Sequence, residues 1–223
     1  MKKYYDILRR CPLFEGISDS DLIPMMGCVG GTVKKYDKRE NIFSEGDLAK
    51  SVGIMLSGKA QVIRVDYYGN RSIMESVSPT ELFGESFACG GARQIPVDVV
   101  ATEDSEVLLM DCARITRSCS NACSFHQQLI FNLMKVMASK NLNFHQKIEI
   151  TSKRTTREKL MTYLLLQAKK NRSASFEIPY DRQELADYLE VDRSGRSAEI
   201  SKLRREDVLT SEKKRFTLLD EAE

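Results

Sequence analysis

The stretch RQELADYLEVDRSGRSAEISKLRRE, residues 182–206, is the most informative part of the chain. It predicts a helix over 182–189, a turn at 190–192 and a second helix that begins at Arg193. Each helix is expected to have an inner apolar face, formed by Leu185, Ala186, Leu189, Ile200 and Leu203. This order of elements is typical of a helix-turn-helix, whose second helix enters the major groove of DNA.

Positive charge is concentrated on the predicted second helix. Five cations and one acidic residue lie between Arg193 and Arg205, whereas the net charge of the whole chain is only +2. A local basic stripe on a nearly neutral protein indicates one cationic element that faces nucleic acid. The side chains near the start of this helix are expected to face base edges; they are Arg193, Ser194, Arg196 and Ser197. Cations further along the helix are placed to contact phosphate groups; they are Lys202, Arg204 and Arg205.

The residues that follow, VLTSEKKRFTLL (208–219), form two short apolar runs around a charged turn. This pattern predicts a β-hairpin, which would be the wing of a winged helix-turn-helix. A solvated charged hairpin with no role in binding is the alternative.

The first half of the chain has the pattern of an all-β domain. From Thr32 to about Met110, short apolar runs are separated by turns at 57–58, 68–70 and 103–104. Strands that recur roughly every ten residues indicate an antiparallel roll or sandwich.

A long helix is predicted over 121–150, where apolar residues form a broad stripe. About 28 helical residues would span about 42 Å, more than one small domain needs. A helix of this kind between two domains favours dimerisation, and packing against the roll is the alternative. Thr155 or Thr156 is expected to cap the next helix, and Asp181 the one at 182–189.

Composition limits the class of protein. The chain has 223 residues, of which 42% are hydrophobic and 30% charged, as in soluble globular proteins. No apolar run approaches 18 residues and the start of the chain lacks a signal-peptide pattern, so a cytoplasmic protein with no membrane partner is expected. Common nucleotide-binding and hydrolase motifs are absent and there are two histidines, so an enzyme is not expected.

These motifs together resemble the Crp/Fnr family of bacterial transcription regulators. The matching segments are CPLFEGISDSDL (11–22), IFSEGD (42–47), IMLSGKAQV (54–62), FGES (83–86) and most of 153–203. The resemblance implies an α+β fold: an antiparallel β-roll of the double-stranded β-helix (jelly-roll) type over 1–120, a dimerisation helix over 121–150 and a winged helix-turn-helix over 151–223.

The resemblance also implies function. It predicts a homodimer that binds a palindromic operator in double-stranded DNA, with RNA polymerase as a candidate further partner. A small-molecule or redox signal at the β-roll would control the affinity for DNA. The predicted DNA-contacting residues are Arg182, Gln183, Arg193, Ser194, Arg196, Ser197, Ala198 and Lys202. The alternative is a small-molecule-binding or interaction dimer whose helix-turn-helix reads no specific sequence.

Three residues depart from the family pattern. Ala198 stands where similar proteins commonly have a base-reading arginine. Arg196 stands where an apolar residue normally packs beneath the helix. Because a buried unpaired charge is costly, we expect either that its side chain turns outward or that the helix is rotated. Glu190 occupies a turn position usually given to glycine, where a left-handed backbone is expected.

The effector pocket is predicted from the same resemblance. Gly84 and Glu85 match the start of the family's cyclic-nucleotide cassette, but Ile95-Pro96 stands where an Arg-Ser pair would hold the cyclic phosphate. Proline has no N–H for a phosphate, so cyclic AMP is not expected. The alternatives are a different, unidentified small molecule in the same pocket or no ligand at all. The predicted lining residues are Phe83, Gly84, Glu85, Ser86, Arg93 and Met137.

Sulfur chemistry is a second candidate for the signal. If the chain is helical there, two cysteines and a histidine share one helix face, and Cys112 precedes them; the set is Cys112, Cys119, Cys123 and His126. Such ligands can bind zinc or an iron–sulfur cluster. Their spacing matches no standard motif and buried free cysteines are common, so no metal is predicted.

Overall fold

A computed structural model describes residues 2–117 and 125–219. The chain divides into two compact units. The first unit comprises the residues up to Asn70 together with Met74–Asn141, and the second comprises Arg71–Ile73 and the residues from Leu142 onward. Within the described ranges, no helix is long and apolar enough to cross a membrane.

Two four-stranded antiparallel sheets form the β-roll of the first unit. The strands are β1 (Thr32–Tyr36), β2 (Asn41–Phe43), β3 (Ser51–Ser57), β4 (Ala60–Val65), β5 (Arg71–Val77), β6 (Leu82–Phe83), β7 (Asp98–Ala101) and β8 (Ser105–Asp111). One sheet has the order β1-β8-β3-β6 and the other β2-β7-β4-β5. The predicted turns at 57–58, 68–70 and 103–104 each join two of these strands, which confirms the antiparallel roll.

Strand β3 packs on one face against the helices and on the other face against the interior of the roll. Five consecutive residues of this strand are buried, because its two faces are covered by different layers. Ile54 and Leu56 pack into the helical layer, whereas Met55 points into the roll interior. A strand covered on both faces is expected to be apolar throughout rather than alternating.

Helices cover the outer face of this sheet. They are α1 (Tyr5–Arg10), α2 (Asp19–Cys28), α3 (Glu85–Cys89), α4 (Cys112–Thr116) and the long α5 (Phe125–Thr151). The buried Asn132 of α5 donates hydrogen bonds from Nδ2 to the carbonyl oxygens of Leu13 (2.9 Å) and Glu15 (2.7 Å). The structure confirms the predicted long helix from Phe125 onward. Residues 121–124 of the prediction lie outside the described ranges.

The described part of the second unit contains the end of α5, three further helices and a small sheet. Its elements after α5 are α6 (Thr156–Asn171), β9 (Ser175–Glu177), α7 (Arg182–Leu189), α8 (Arg193–Arg205), β10 (Leu209–Glu212) and β11 (Arg215–Leu218). Thr155 and Asp181 each form a capping box at the start of a helix, with Glu158 and Glu184 respectively. Strand β9, between α6 and α7, was not among the predicted elements; it pairs with β11.

Candidate functional site

The turn between α7 and α8 orients the helix that carries most of the predicted DNA-contacting residues. Glu190 ends α7 in the left-handed conformation (φ 54°, ψ 54°), as its glycine-like position predicted. Asp192 caps α8, because its carboxylate accepts hydrogen bonds from the backbone N–H groups of Ser194 (2.9 Å) and Gly195 (2.7 Å). A hydrogen bond from the Ser194 hydroxyl, and then these two backbone bonds, lower the pKa of Asp192. The start of α8 is thus fixed by a charged cap.

The exposed side of α8 forms a continuous strip. Positions four residues apart on a helix are neighbours, so the strip is formed by Arg193, Ser194, Ser197, Ala198 and Lys202, all of them exposed. Arg182 and Gln183 are also exposed, at the start of α7. The amide of Gln183 already donates to Asp187 Oδ1 at 2.7 Å.

The buried side of the same helices holds them together. Leu185, Leu189 and Leu203 are all 1% exposed or less. Val191 and Ile200 are only half-buried. The predicted inner faces are therefore present, with the turn and the middle of α8 less completely covered than the rest.

Arg196 does not turn outward, so that alternative is wrong. Its side chain is 2% exposed. One terminal nitrogen donates to Ser197 Oγ at 2.9 Å, while Nε has no hydrogen-bond partner among the described residues. Burial, and then the neighbouring charges of Arg182 and Arg193, lower the pKa of Arg196.

The predicted hairpin is present as β10 and β11, which are joined at Lys213 and Lys214. Lys213 has a left-handed backbone (φ 51°). Lys214 Nζ donates to the carbonyl oxygen of Pro179 at 2.8 Å. The side chain of Lys214 therefore ties the tip of the hairpin to the segment that precedes α7.

A buried lysine contacts the end of α7 and the turn that follows it, and it was not predicted from the sequence. Lys147 of α5 lies 4.0 Å from the centre of the Tyr188 ring. Its ammonium group donates to the backbone carbonyl of Tyr188 and lies 3.8 Å from the carboxylate of Glu190. Burial lowers the pKa of Lys147 to about 8, against the opposing effect of Glu190.

In the β-roll, the predicted effector residues 83–86 run from the end of β6 into the start of α3. Phe83 is fully buried, and a Cβ atom on Gly53 would overlap its ring. Gly84 has a left-handed backbone (φ 79°), and a Cβ there would lie 2.8 Å from the ring of Phe43. Close packing and backbone conformation therefore both require glycine at position 84.

Glu85 is buried in an ion-paired cluster with two residues that the sequence analysis missed. Lys140 Nζ lies 3.1 Å from Glu85 Oε1 and 2.8 Å from Glu75 Oε1. It also donates to the carbonyl oxygen of Leu82 at 2.6 Å. Lys140 lies on the same side of α5 as the buried apolar residues of that helix. A lysine at such a position in the sequence was the feature that could have revealed this cluster. Glu85 Oε2 has no hydrogen-bond partner among the described residues.

The other predicted effector residues are not members of this ion-paired cluster. The side chain of Arg93 is exposed, as is Pro96, and Ile95 is buried in the roll. Met137 packs partly buried against the helical layer. Ser86 Oγ is 3.4 Å from Glu85 Oε1.

The thiols have an unpredicted neighbour. Cys112 Sγ lies 2.8 Å from Sγ of Cys89, which is half-buried on α3. Burial, and then the contact with Cys112, raise the pKa of Cys89 to about 12. His126 is buried and stacks on Phe125. Cys119 and Cys123 lie outside the described ranges, within which no group of three or more suitable side chains could hold a metal ion.

Comparison with known proteins gives two domain matches. The cyclic nucleotide-binding domain model matches residues 33–121, and the Crp-like helix-turn-helix domain model matches residues 158–223. The chain is 25% identical to the transcriptional activator protein FnrA of Stutzerimonas stutzeri over 214 residues, which cover 94% of this chain and 84% of FnrA.

Solved structures agree in fold. One is the c-di-GMP responsive regulator CLP of Xanthomonas campestris (14% identity, TM-score 0.72), with 90% of this chain and all of CLP covered. Another is FixK2 of Bradyrhizobium japonicum (21% identity, TM-score 0.65), with 86% of this chain and 98% of FixK2 covered.

Proposed function

Because the chain belongs to the Crp/Fnr family of transcription regulators, we propose that it binds a palindromic operator as a homodimer and reads it with α8. Members of this family bind DNA and are generally dimers. The observation that carries the proposal is the exposed strip of α8, which begins at the Asp192 cap with Arg193 and Ser194. Arginine at the start of such a helix can make two hydrogen bonds to guanine.

Helix α5 supports the homodimer. Four large apolar side chains on it are 53% exposed or more; they are Phe131, Met134, Leu142 and Ile148. Burial of these side chains against a second copy would remove apolar surface from water. We assign residues 1–120 to the effector domain, 121–150 to dimerisation and 151–223 to DNA binding.

The β-roll supplies the control signal in this proposal. The unpaired Oε2 of buried Glu85 can accept a hydrogen bond from a small molecule that carries a hydroxyl group. Exposed Pro96 offers no N–H to a phosphate, and Lys140 already pairs with Glu85. These features favour an effector other than cyclic AMP.

The Cys89–Cys112 pair supports a redox signal as the second form of control. Two thiols and one molecule of hydrogen peroxide would give one disulfide and two molecules of water. Because the raised pKa keeps Cys89 protonated at neutral pH, this reaction is expected to be slow. The test is DNA affinity before and after peroxide, with recovery by dithiothreitol. Cys112→Ser should abolish the effect and Cys28→Ser should not; an equal effect in both variants would exclude the pair.

Selection from random duplex DNA tests the proposed reading of sequence. Reduced protein should enrich a palindrome whose half-sites are about one helical turn apart. Arg193→Ala should weaken binding to that sequence by about 1–3 kcal/mol and relax the preference at one base pair. Lys170→Gln, an exposed cation on α6, is the matched control. If neither reduced nor oxidised protein enriches a sequence, either an absent effector holds the dimer inactive or the helix-turn-helix is degenerate. A ligand screen by thermal shift, followed by selection with any ligand found, separates the two; no enrichment even then means an interaction or ligand-binding dimer.

A further inference from the structure

The second unit contains a small, strongly positive cavity between α7, α8 and the β10–β11 hairpin. Its volume is about 110 Å³. Four cations line it: Arg182, Arg196, Arg204 and Lys213. Asp181 is the one carboxylate in the lining, so the formal charge around the cavity is +3.

Arg196 is the innermost of these cations and lacks a counter-ion. Its side chain is 2% exposed, and no carboxylate of the described residues lies within 4.0 Å of its guanidinium group. The hydroxyl of Ser197 accepts one of its hydrogen bonds, and Nε has no partner in the described part of the chain. A buried cation of this kind is costly unless an anion completes its hydrogen bonds.

The charge of Asp181 partly offsets the lowered pKa of Arg196, but Asp181 does not form an ion pair with it. Its Oδ1 accepts the backbone N–H of Glu184 at 2.9 Å, and its own N–H donates to the Glu184 carboxylate at 2.7 Å. These bonds fix Asp181 as the cap of α7, in an exposed position. The excess of positive charge in the cavity therefore remains.

The chemistry of the lining indicates what could fill it. Guanidinium groups bind phosphate through paired hydrogen bonds, and three serine hydroxyls also line the cavity; they are Ser197, Ser201 and Ser211. Its volume is well below the several hundred Å³ that organic ligands occupy. We propose that the cavity binds one phosphate-class tetrahedral oxyanion, with Arg196 as its deepest contact.

Two sources can supply this group: free inorganic phosphate and a phosphate of the DNA backbone. Binding of free phosphate does not depend on the proposed function. Filling by DNA does rest on that function, because it requires α8 and the hairpin to face a duplex. Separate experiments on the full-length chain distinguish the two sources.

The first experiment measures thermal unfolding while phosphate replaces chloride at constant ionic strength. A ligand that binds only the folded state raises the midpoint in a saturable way. We expect this rise in the wild type and in the exposed-cation control Lys170→Gln, and its loss in Arg196→Met. In chloride alone, Arg196→Met should unfold at a higher temperature than the wild type, since the unpaired buried charge is gone; this also shows that the variant folds.

The second experiment measures affinity for a nonspecific duplex over a series of salt concentrations. If a backbone phosphate fills the cavity, Arg196→Met should reduce the slope of log K against log salt by about one, and Lys170→Gln should not. A positive result in either experiment supports the site and identifies the source. The proposal is overturned if Arg196→Met behaves like the wild type in both. If the chain binds no DNA at all, the proposed function fails and the phosphate experiment alone decides.

Discussion

The ion-paired cluster of Glu75, Glu85 and Lys140 makes the stability of the first unit depend on one buried ammonium group. The side chain of Lys140 is 12% exposed and that of Glu85 is 2% exposed. Lys140→Met would leave two carboxylates and the carbonyl of Leu82 without their shared donor. Removal of one partner from a buried ion pair typically costs about 3–5 kcal/mol, so we expect a loss of that size in the free energy of unfolding.

Urea unfolding followed by tyrosine fluorescence measures this loss, since the chain has eight tyrosines and no tryptophan. Lys135→Met is the matched control on the same helix, because Lys135 pairs with Glu15 at an exposed site. It should leave the free energy of unfolding nearly unchanged. Adding Glu85→Gln to Lys140→Met should recover part of the loss, because it removes an unpaired buried charge. The reasoning is refuted if Lys140→Met costs no more than Lys135→Met.

Three other features lead to shorter predictions. Because the folded-state pKa of Lys147 is lowered to about 8 from 10.5, its protonated form is disfavoured in the fold. Lys147→Met should therefore be more stable than the wild type below pH 8, by at most about 3 kcal/mol. The difference in urea midpoint between the two proteins should shrink as pH rises from 8 towards 10.5. A difference that stays constant over this range would contradict the prediction. Gly53→Ala should lower the free energy of unfolding by about 1–3 kcal/mol through overlap with the Phe83 ring, and an unchanged urea midpoint would disprove the close packing. Met134→Asp should weaken the dimer at least about tenfold in sedimentation equilibrium without changing the circular dichroism; an unchanged dimer would move the interface away from this face of α5.

Local pattern was enough to predict most of the architecture. The helix-turn-helix follows from apolar residues at helical spacing and from Asp181, which can cap a helix wherever the rest of the chain lies. The turns of the β-roll follow from glycine and acidic residues between apolar runs. Strand β9 was missed because Ser175–Glu177 contains one apolar residue, Phe176, and its partner strand begins about 40 residues later.

The contacts that define the candidate sites were harder to predict because they join distant parts of the chain. Lys140 meets Glu75 across 65 residues, and Cys89 meets Cys112 across 23. Arg196 was expected to turn outward on the general cost of a buried charge. That argument could not foresee the cavity between α7, α8 and the hairpin, which Arg196 lines.

The most direct test of the central claim is an anisotropy titration with the selected palindrome and a scrambled duplex of equal length. It should be run at about 50 and 200 mM salt, the range over which phosphate contacts weaken binding steeply. We predict that the palindrome binds at least about a thousandfold more tightly than the scrambled duplex. Equal affinity for the two duplexes, in reduced and in oxidised protein and with or without phosphate, would contradict the account.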